Sequence, residues 1–458
     1  MATTSRSADL TSGPMLQKII LFSVPLAASS ILQLLFNAAD VVVVGRFAGS
    51  TALAAVGSNG ALINLLVNLF VGLSLGANVV AARCFGAKDE RGVQNTVQTS
   101  VTLGLVSGVL LAFVGFFAAR GLLELMSCPE DVIDLSTLYL KIYFIGMPMT
   151  MLYNFNASLL RAVGDTRRPL YCLAVSGVIN VVLNLVFVIL FQMSVAGVAL
   201  ATIISQTVSA LMVTVLLMKE EGPLHLDLRH LGFHKGALVQ ILKIGLPAGL
   251  QSTVFSLSNV VIQSAINSLG TVVIAASSAA FNIEILAYDV LNSFSQACTT
   301  FVGQNYGAGQ IRRCKKTMQL SLLEDGAATF LAVAVVLVFA RPLLSIFNSD
   351  PDVVALGYVR LSTILPAYAF SLFYEVLSGY LRGFGISLVP AVLTMLGVCG
   401  IRIAWVEFVF PQSMTFQTIM TVYPVSLGAT ALLICIAAFL YRPSKRFASF
   451  EQETENDA

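Results

Sequence analysis

"IILFSVPLAASSILQLLFNAADVVVVG", residues 19–45, is an apolar run interrupted only by small side chains, amides and one carboxylate, Asp40. About 20 apolar residues are enough for a helix to cross a bilayer, and this run is longer. Similar runs recur along all 458 residues, which are 57% hydrophobic and only 11% charged. A soluble domain of that composition would have to leave its surface apolar. An outer-membrane barrel is excluded too, because barrels show short alternating segments rather than continuous apolar ones. The chain therefore reads as an all-α polytopic membrane protein.

Twelve spans are expected, at about 16–45, 51–82, 96–119, 136–158, 169–191, 195–218, 237–266, 271–303, 317–340, 354–378, 389–410 and 417–441. Placing both termini in the cytosol puts 20 of the 26 Lys and Arg on that side. That is the positive-inside pattern. The expected order is a cytosolic tail (1–14), a six-helix bundle (15–217), a cytosolic linker (218–236), a second six-helix bundle (237–441) and a cytosolic tail (442–458). The polar amino end reads as a tail leading into a retained span, not as a removed signal peptide. The seven cysteines contain no C-x-x-C spacing, so neither a disulfide framework nor a zinc site is expected. All three histidines, His225, His230 and His234, fall in the linker at spacings that fit no standard metal site.

The two halves repeat. "AARGLLELMSCPEDV" (118–132) aligns with "FARPLLSIFNSDPDV" (339–353), and "LLRAVGDTRRP" (159–169) with "YLRGFGISLVP" (380–390). "FGAKDE" (85–90) meets "YGAGQI" (306–311) in the same register, and Pro25 meets Pro247 within one residue of it. A shared register over that distance indicates a duplicated six-helix unit. An even number of spans per unit makes the repeat parallel, the plan of a transporter that rocks one half against the other. No span contains a histidine and there is no phosphate-binding loop, so an intramembrane enzyme or a primary pump is not expected.

Seven acidic residues fall within the spans: Asp40, Glu284, Asp289, Glu324, Asp325, Glu375 and Glu407. Intramembrane charges usually mark ion or substrate pathways. Asp40 shares a helical stripe with Gln33 and Asn37, while Ser176, Asn180 and Asn184 form another on the fifth span. Such stripes can hold a hard cation or a protonated acid, or simply join helices. In the second half, Glu284, Tyr288, Asn292 and Gln296 line one face of the eighth span, and Glu375 lies in the tenth. Arg402 lies deep in the eleventh, where a centred arginine costs roughly 2.5–3.5 kcal/mol. A carboxylate would lower that cost, and Glu375 or Glu284 is the expected partner. Glu324 and Asp325 are adjacent and cannot share a helix face. They rank below the others, one of them expected in a cytosol-side crevice.

The chain resembles the multidrug and toxin extrusion (MATE) family of cation-coupled efflux transporters. The resemblance rests on "FNAADVVVVGRFAG", "GANVVAARCFGAKDE", "LLRAVGDTRRP", "GVINVVLNLVFVILF" and "FVGQNYGAG", in that order, and covers about residues 15–441. It implies two six-helix bundles and export of cationic or amphipathic compounds in exchange for protons or sodium ions. The implied ion-coupling residues are Asp40 with Gln33, Asn37, Asn180, Asn184 and Thr202. The carboxyl half would bind substrate through Glu284, Tyr288, Asn292, Glu375 and Arg402. Relatives often carry an aspartate where this chain has Asn184, a departure that bears on the charge of the site. A second branch has a glutamate eight residues after the seventh-span proline. Here that position is Phe255, so the chain looks more DinF-like than NorM-like.

The resemblance further implies a monomer in the inner (plasma) membrane, with no nucleic-acid partner and no cofactor beyond the coupling ion. A lipid or lipid-linked oligosaccharide flippase of the same plan is the alternative. A flippase cavity should be basic, whereas the polar residues here are mainly acidic and amide.

Overall fold

The computed structural model describes residues 9–126 and 128–447, apart from the side chains of Ser50, Ser58 and Ala61. Of the expected tails, residues 1–8 and 448–458 lie outside the described residues. Every regular element among the described residues is a helix. Eleven helices are long and apolar enough to cross a membrane, and a bent pair makes a twelfth span. The first six are Met15–Phe47, Ser50–Gly86, Glu90–Leu125, the pair Glu130–Ile145 with Met147–Ala162, Arg167–Leu190 and Ser194–Met218. The second six are Lys235–Asn267, Thr271–Gly307, Ile311–Val338, Pro351–Gly383, Leu388–Gln412 and Phe416–Tyr441.

Local chemistry sets several boundaries. Asp89 caps the third span by accepting from the Gly92 N–H at 2.9 Å, and Asp350 caps the tenth from the Asp352 N–H at 2.9 Å. The fourth span, expected as one helix, bends by 48° between Ile145 and Met147. Pro148 has no N–H to continue the ladder, and Gly146 lies so close to Ile203 that a Cβ would meet its Cγ1 at 2.5 Å. The fifth and eleventh spans, counterparts in the repeat, both widen into π-helical turns, at Val186–Leu190 and at Met395–Gly400 and Trp405–Val409.

The chain forms two compact units that do not follow the expected bounds. The first contains Ala28–Gly249, and the second contains Leu10–Ala27 and Leu250 onward. The first and seventh spans therefore each divide between units, a few residues after Pro25 and Pro247.

Packing explains both divisions. In the second unit, Ile19, Phe22 and Leu26 bury against Phe294, Ala297 and Phe301, with the Phe22 and Phe301 rings edge to face at 5.7 Å. Just before them, the Leu10 N–H donates to Gln304 at 3.2 Å and the Leu10 carbonyl accepts from Asn305 at 3.3 Å. The end of the expected cytosolic tail is thus docked on the eighth span from Leu10 onward. In the first unit, glycines bring the second span onto the start of the seventh. A Cβ on Gly249 would fall 2.2 Å from the Leu69 carbonyl oxygen, and one on Gly76 2.4 Å from that of Ile241. Close backbone approach through small residues is how membrane helices associate where the hydrophobic effect gives no help.

The linker histidines diverge. His225 Nδ1 meets the Glu220 carbonyl at 3.1 Å, His230 Nδ1 meets Asp227 Oδ2 at 2.6 Å, and the His234 N–H donates to Thr99 at 3.0 Å.

Candidate functional site

In the first unit the polar stripes converge on one cavity of about 190 Å³. The first span brings Gln33, Phe36, Asn37 and Asp40, the fifth Ser176, Gly177 and Asn180, and the sixth Thr202, Ser205 and Gln206. Tyr143 closes it from the fourth span. Gln33 and Asn37 are exposed, whereas Asp40, Asn180 and Asn184 are buried. Helical spacing alone explains the convergence, since residues three or four apart share a face.

The hydrogen bonds around Asp40 are short of donors. Asn184 Nδ2 donates to Asp40 Oδ1 and, at 3.2 Å, to Asn180 Oδ1, which uses both of its protons. Thr202 Oγ1 has two acceptors within reach of its single proton, the Val198 carbonyl at 2.9 Å and Asp40 Oδ2 at 3.5 Å. The side-chain oxygens of Asn184 and Gln206 are buried without a partner. Buried acceptors normally find a donor. Asp40 and Thr202 thus line the cavity while Asn184 holds the Asp40 carboxylate from behind its rim. Asn78, on the second span, donates to the Ser158 carbonyl at 3.0 Å and joins helices. Tyr143, Ser205 and Gln206 escaped the sequence reading because none of them belongs to a polar stripe at helical spacing that includes an acid or asparagine pair.

The second unit differs from expectation. Arg402, 2% exposed, is not paired with Glu284 or Glu375. It donates through Nη1 to Asn259 Oδ1 at 3.0 Å and through Nε to the Ser426 hydroxyl at 3.3 Å. Its guanidinium lies 4.4 Å from the Tyr423 ring centroid and 5.3 Å from that of Phe255. Amide, hydroxyl and aromatic faces replace the expected carboxylate, since a desolvated guanidinium over a ring is stabilised by about 2 kcal/mol.

Glu284 belongs instead to Arg360, a residue the sequence reading passed over. Arg360 Nε donates to Glu284 Oε2 at 2.9 Å and Nη1 to the Ser277 hydroxyl at 2.7 Å, while the Tyr368 hydroxyl donates to Glu284 Oε1 at 3.2 Å. Glu284 is thereby neutralised. Glu375 makes no ion pair within 4 Å among the described residues and accepts from the Tyr288 hydroxyl at 3.0 Å. Asn292 accepts from Gln296 at 3.1 Å on the same helix. Both Glu324 and Asp325 are buried.

Residues 25–186 and 247–406 match the MatE family, one stretch in each repeat. The chain belongs to that family. The probable multidrug resistance protein YoeA of Bacillus subtilis (strain 168) is 30% identical over 423 residues, covering 90% of this chain and 91% of its own. YpnP of the same organism, named in the same way, is 29% identical over 98% of this chain and 100% of its own. The fold matches a solved structure described as the outward-facing conformation of a multidrug resistance MATE transporter. Its TM-score is 0.87 at 22% identity, over 98% of this chain and 100% of that one. As a MatE protein the chain is an integral membrane transporter and not an enzyme.

Proposed function

We propose that this MatE protein is a secondary antiporter that exports cationic or amphipathic small molecules in exchange for protons or sodium ions. It works as a monomer in the inner (plasma) membrane, both termini cytosolic, with no cofactor beyond the coupling ion. The observation that carries the reading is the buried Asp40 carboxylate among acceptors that lack donors. An ion drives change only through different affinity for two states. Asp40 supplies that difference when it is hydrated and charged in one state and protonated or ion-bound in the other. Asn180 and Asn184 serve either form, since an amide both donates and accepts. Phe255, in place of a seventh-span acid, favours the DinF-like branch.

Related proteins are named for multidrug resistance, which supports small-molecule cargo. None of the residues lining the Asp40 cavity is basic, which speaks against a flippase carrying a pyrophosphate. Asp40→Asn keeps the size and removes titration. Purified into vesicles, it should insert and fold yet lose ethidium accumulation driven by an imposed proton or sodium gradient. Undiminished gradient-driven accumulation by Asp40→Asn would refute the assignment.

A further inference from the structure

The ninth span carries a buried polar stripe that the Asp40 site does not use. Thr317, Ser321, Asp325 and Thr329 recur every fourth residue, and none is more than 4% exposed. Thr329 Oγ1 donates to Asp325 Oδ1 at 2.9 Å, while Asp325 Oδ2 is buried with no hydrogen-bond partner. Thr317 Oγ1 bonds back to the Arg313 carbonyl at 2.9 Å, so the stripe begins in the helix's opening turns. Asp325 itself lies mid-helix.

Few ionisable groups face it. The eighth span presents the Cys298 thiol, beside Ser321, and the tenth presents Glu375. The start of the first span presents Phe22 and Leu26 toward Leu320 and Ala328, with nothing that titrates. Glu324 points away, 100° around the same helix. At the helix start Ile311 and Cys314 pack with Phe447 and with Tyr306 and Tyr380, whose two phenols are the titratable groups there.

A hard metal cation takes about six oxygens, far more than this site offers. A proton takes one acceptor, and Asp325 Oδ2 is that acceptor. We propose that Asp325 is a second proton-binding site, in the carboxyl-terminal unit, reached along the Thr317–Ser321 hydroxyl stripe and coupled electrostatically to Glu375. This deepens the antiporter reading and rests on it. Glu375 would then respond to cargo and to the Asp325 proton together, because two nearby carboxylates do not both ionise readily. Thr329 acts as a positioning residue, holding Oδ1 so that Oδ2 takes the proton.

The test combines two measurements on the full-length protein. First, the purified protein is treated with the hydrophobic reagent dicyclohexylcarbodiimide, which modifies protonated carboxyls, and the adduct is mapped by peptide mass spectrometry across a pH series. Modification at Asp325 that fades as pH rises is expected, in the wild type and equally in Asp40→Asn. Second, vesicles loaded with a pH indicator report protons moved per ethidium. Asp325→Asn should bind ethidium as before yet move fewer protons per ethidium, and Thr329→Val should shift the pH profile of labelling.

Absence of the Asp325 adduct at every pH overturns the proposal. So does an unchanged proton count in Asp325→Asn, or a wild type that moves no protons. If Asp40→Asn also transports like the wild type, the antiporter assignment of Asp40 falls separately. Should Asp325→Asn fail to fold, the Thr329→Val profile decides, and an unmoved profile counts against the proposal.

Discussion

Thr202 has one hydroxyl proton and two acceptors in reach, the Val198 carbonyl at 2.9 Å and Asp40 Oδ2 at 3.5 Å. Its hydroxyl can therefore turn toward a charged Asp40 and away from a protonated one. Thr202→Val should therefore impair coupling while leaving the fold intact, visible as weaker gradient-driven ethidium efflux at unchanged protein abundance. The buried pair in the second unit makes the opposite case. Removing one partner of a buried ion pair costs about 3–5 kcal/mol, because the other charge is left alone. Glu284→Gln should lower the apparent Tm in fluorescence-detected size exclusion, and adding Arg360→Met should restore most of it. Glu375→Gln breaks no direct ion pair, so it should weaken cationic-dye efflux with a smaller change in Tm than Glu284→Gln. Equal Tm losses for Glu284→Gln and Glu375→Gln would contradict this division of roles.

At the scale of elements, much was legible and the gaps have physical causes. Asp40 with Gln33 and Asn37, and Asn180 with Asn184, were legible as stripes at helical spacing, whereas Thr202 was implied only by the family resemblance. Arg402 misled because an intramembrane charge was assumed to need a carboxylate, where Asn259, Ser426 and Tyr423 suffice. Arg360 and Glu284 lie 76 residues apart on different spans, a pairing no local pattern reveals. Glycines four apart, Gly72 with Gly76 and Gly245 with Gly249, are plain in the sequence, but not that they face one another. Their backbones approach so closely that a side chain has no room. Gly249→Val should reduce folded protein sharply, and Gly60→Ala, where a Cβ meets nothing within 4 Å, should not. Equal yields of the two variants after mild detergent extraction would show that the interface relaxes.

At the scale of the whole molecule, the sequence repeat and the compact units are different divisions of the same chain. Residues 235–249 belong by sequence to the second repeat but pack in the first unit, and Leu10–Ala27 do the reverse. A chain cut within the linker, near residue 230, should therefore give two fragments that each lack a segment of their own unit. Expressed singly they should be degraded, and expressed together they should copurify and export ethidium. Stable accumulation of either fragment alone would show that the exchanged segments are dispensable.

The docking of Leu10 has a consequence for biogenesis. Its N–H and carbonyl bond to Gln304 and Asn305, 294 and 295 residues further along. The ribosome makes the first helix long before it makes that partner. The opening half of that helix must therefore wait in the bilayer, inserted but without its packing surface, until the eighth span emerges. Closure over so long a loop is slow, so the amino end takes its place only after the first seven spans have been made.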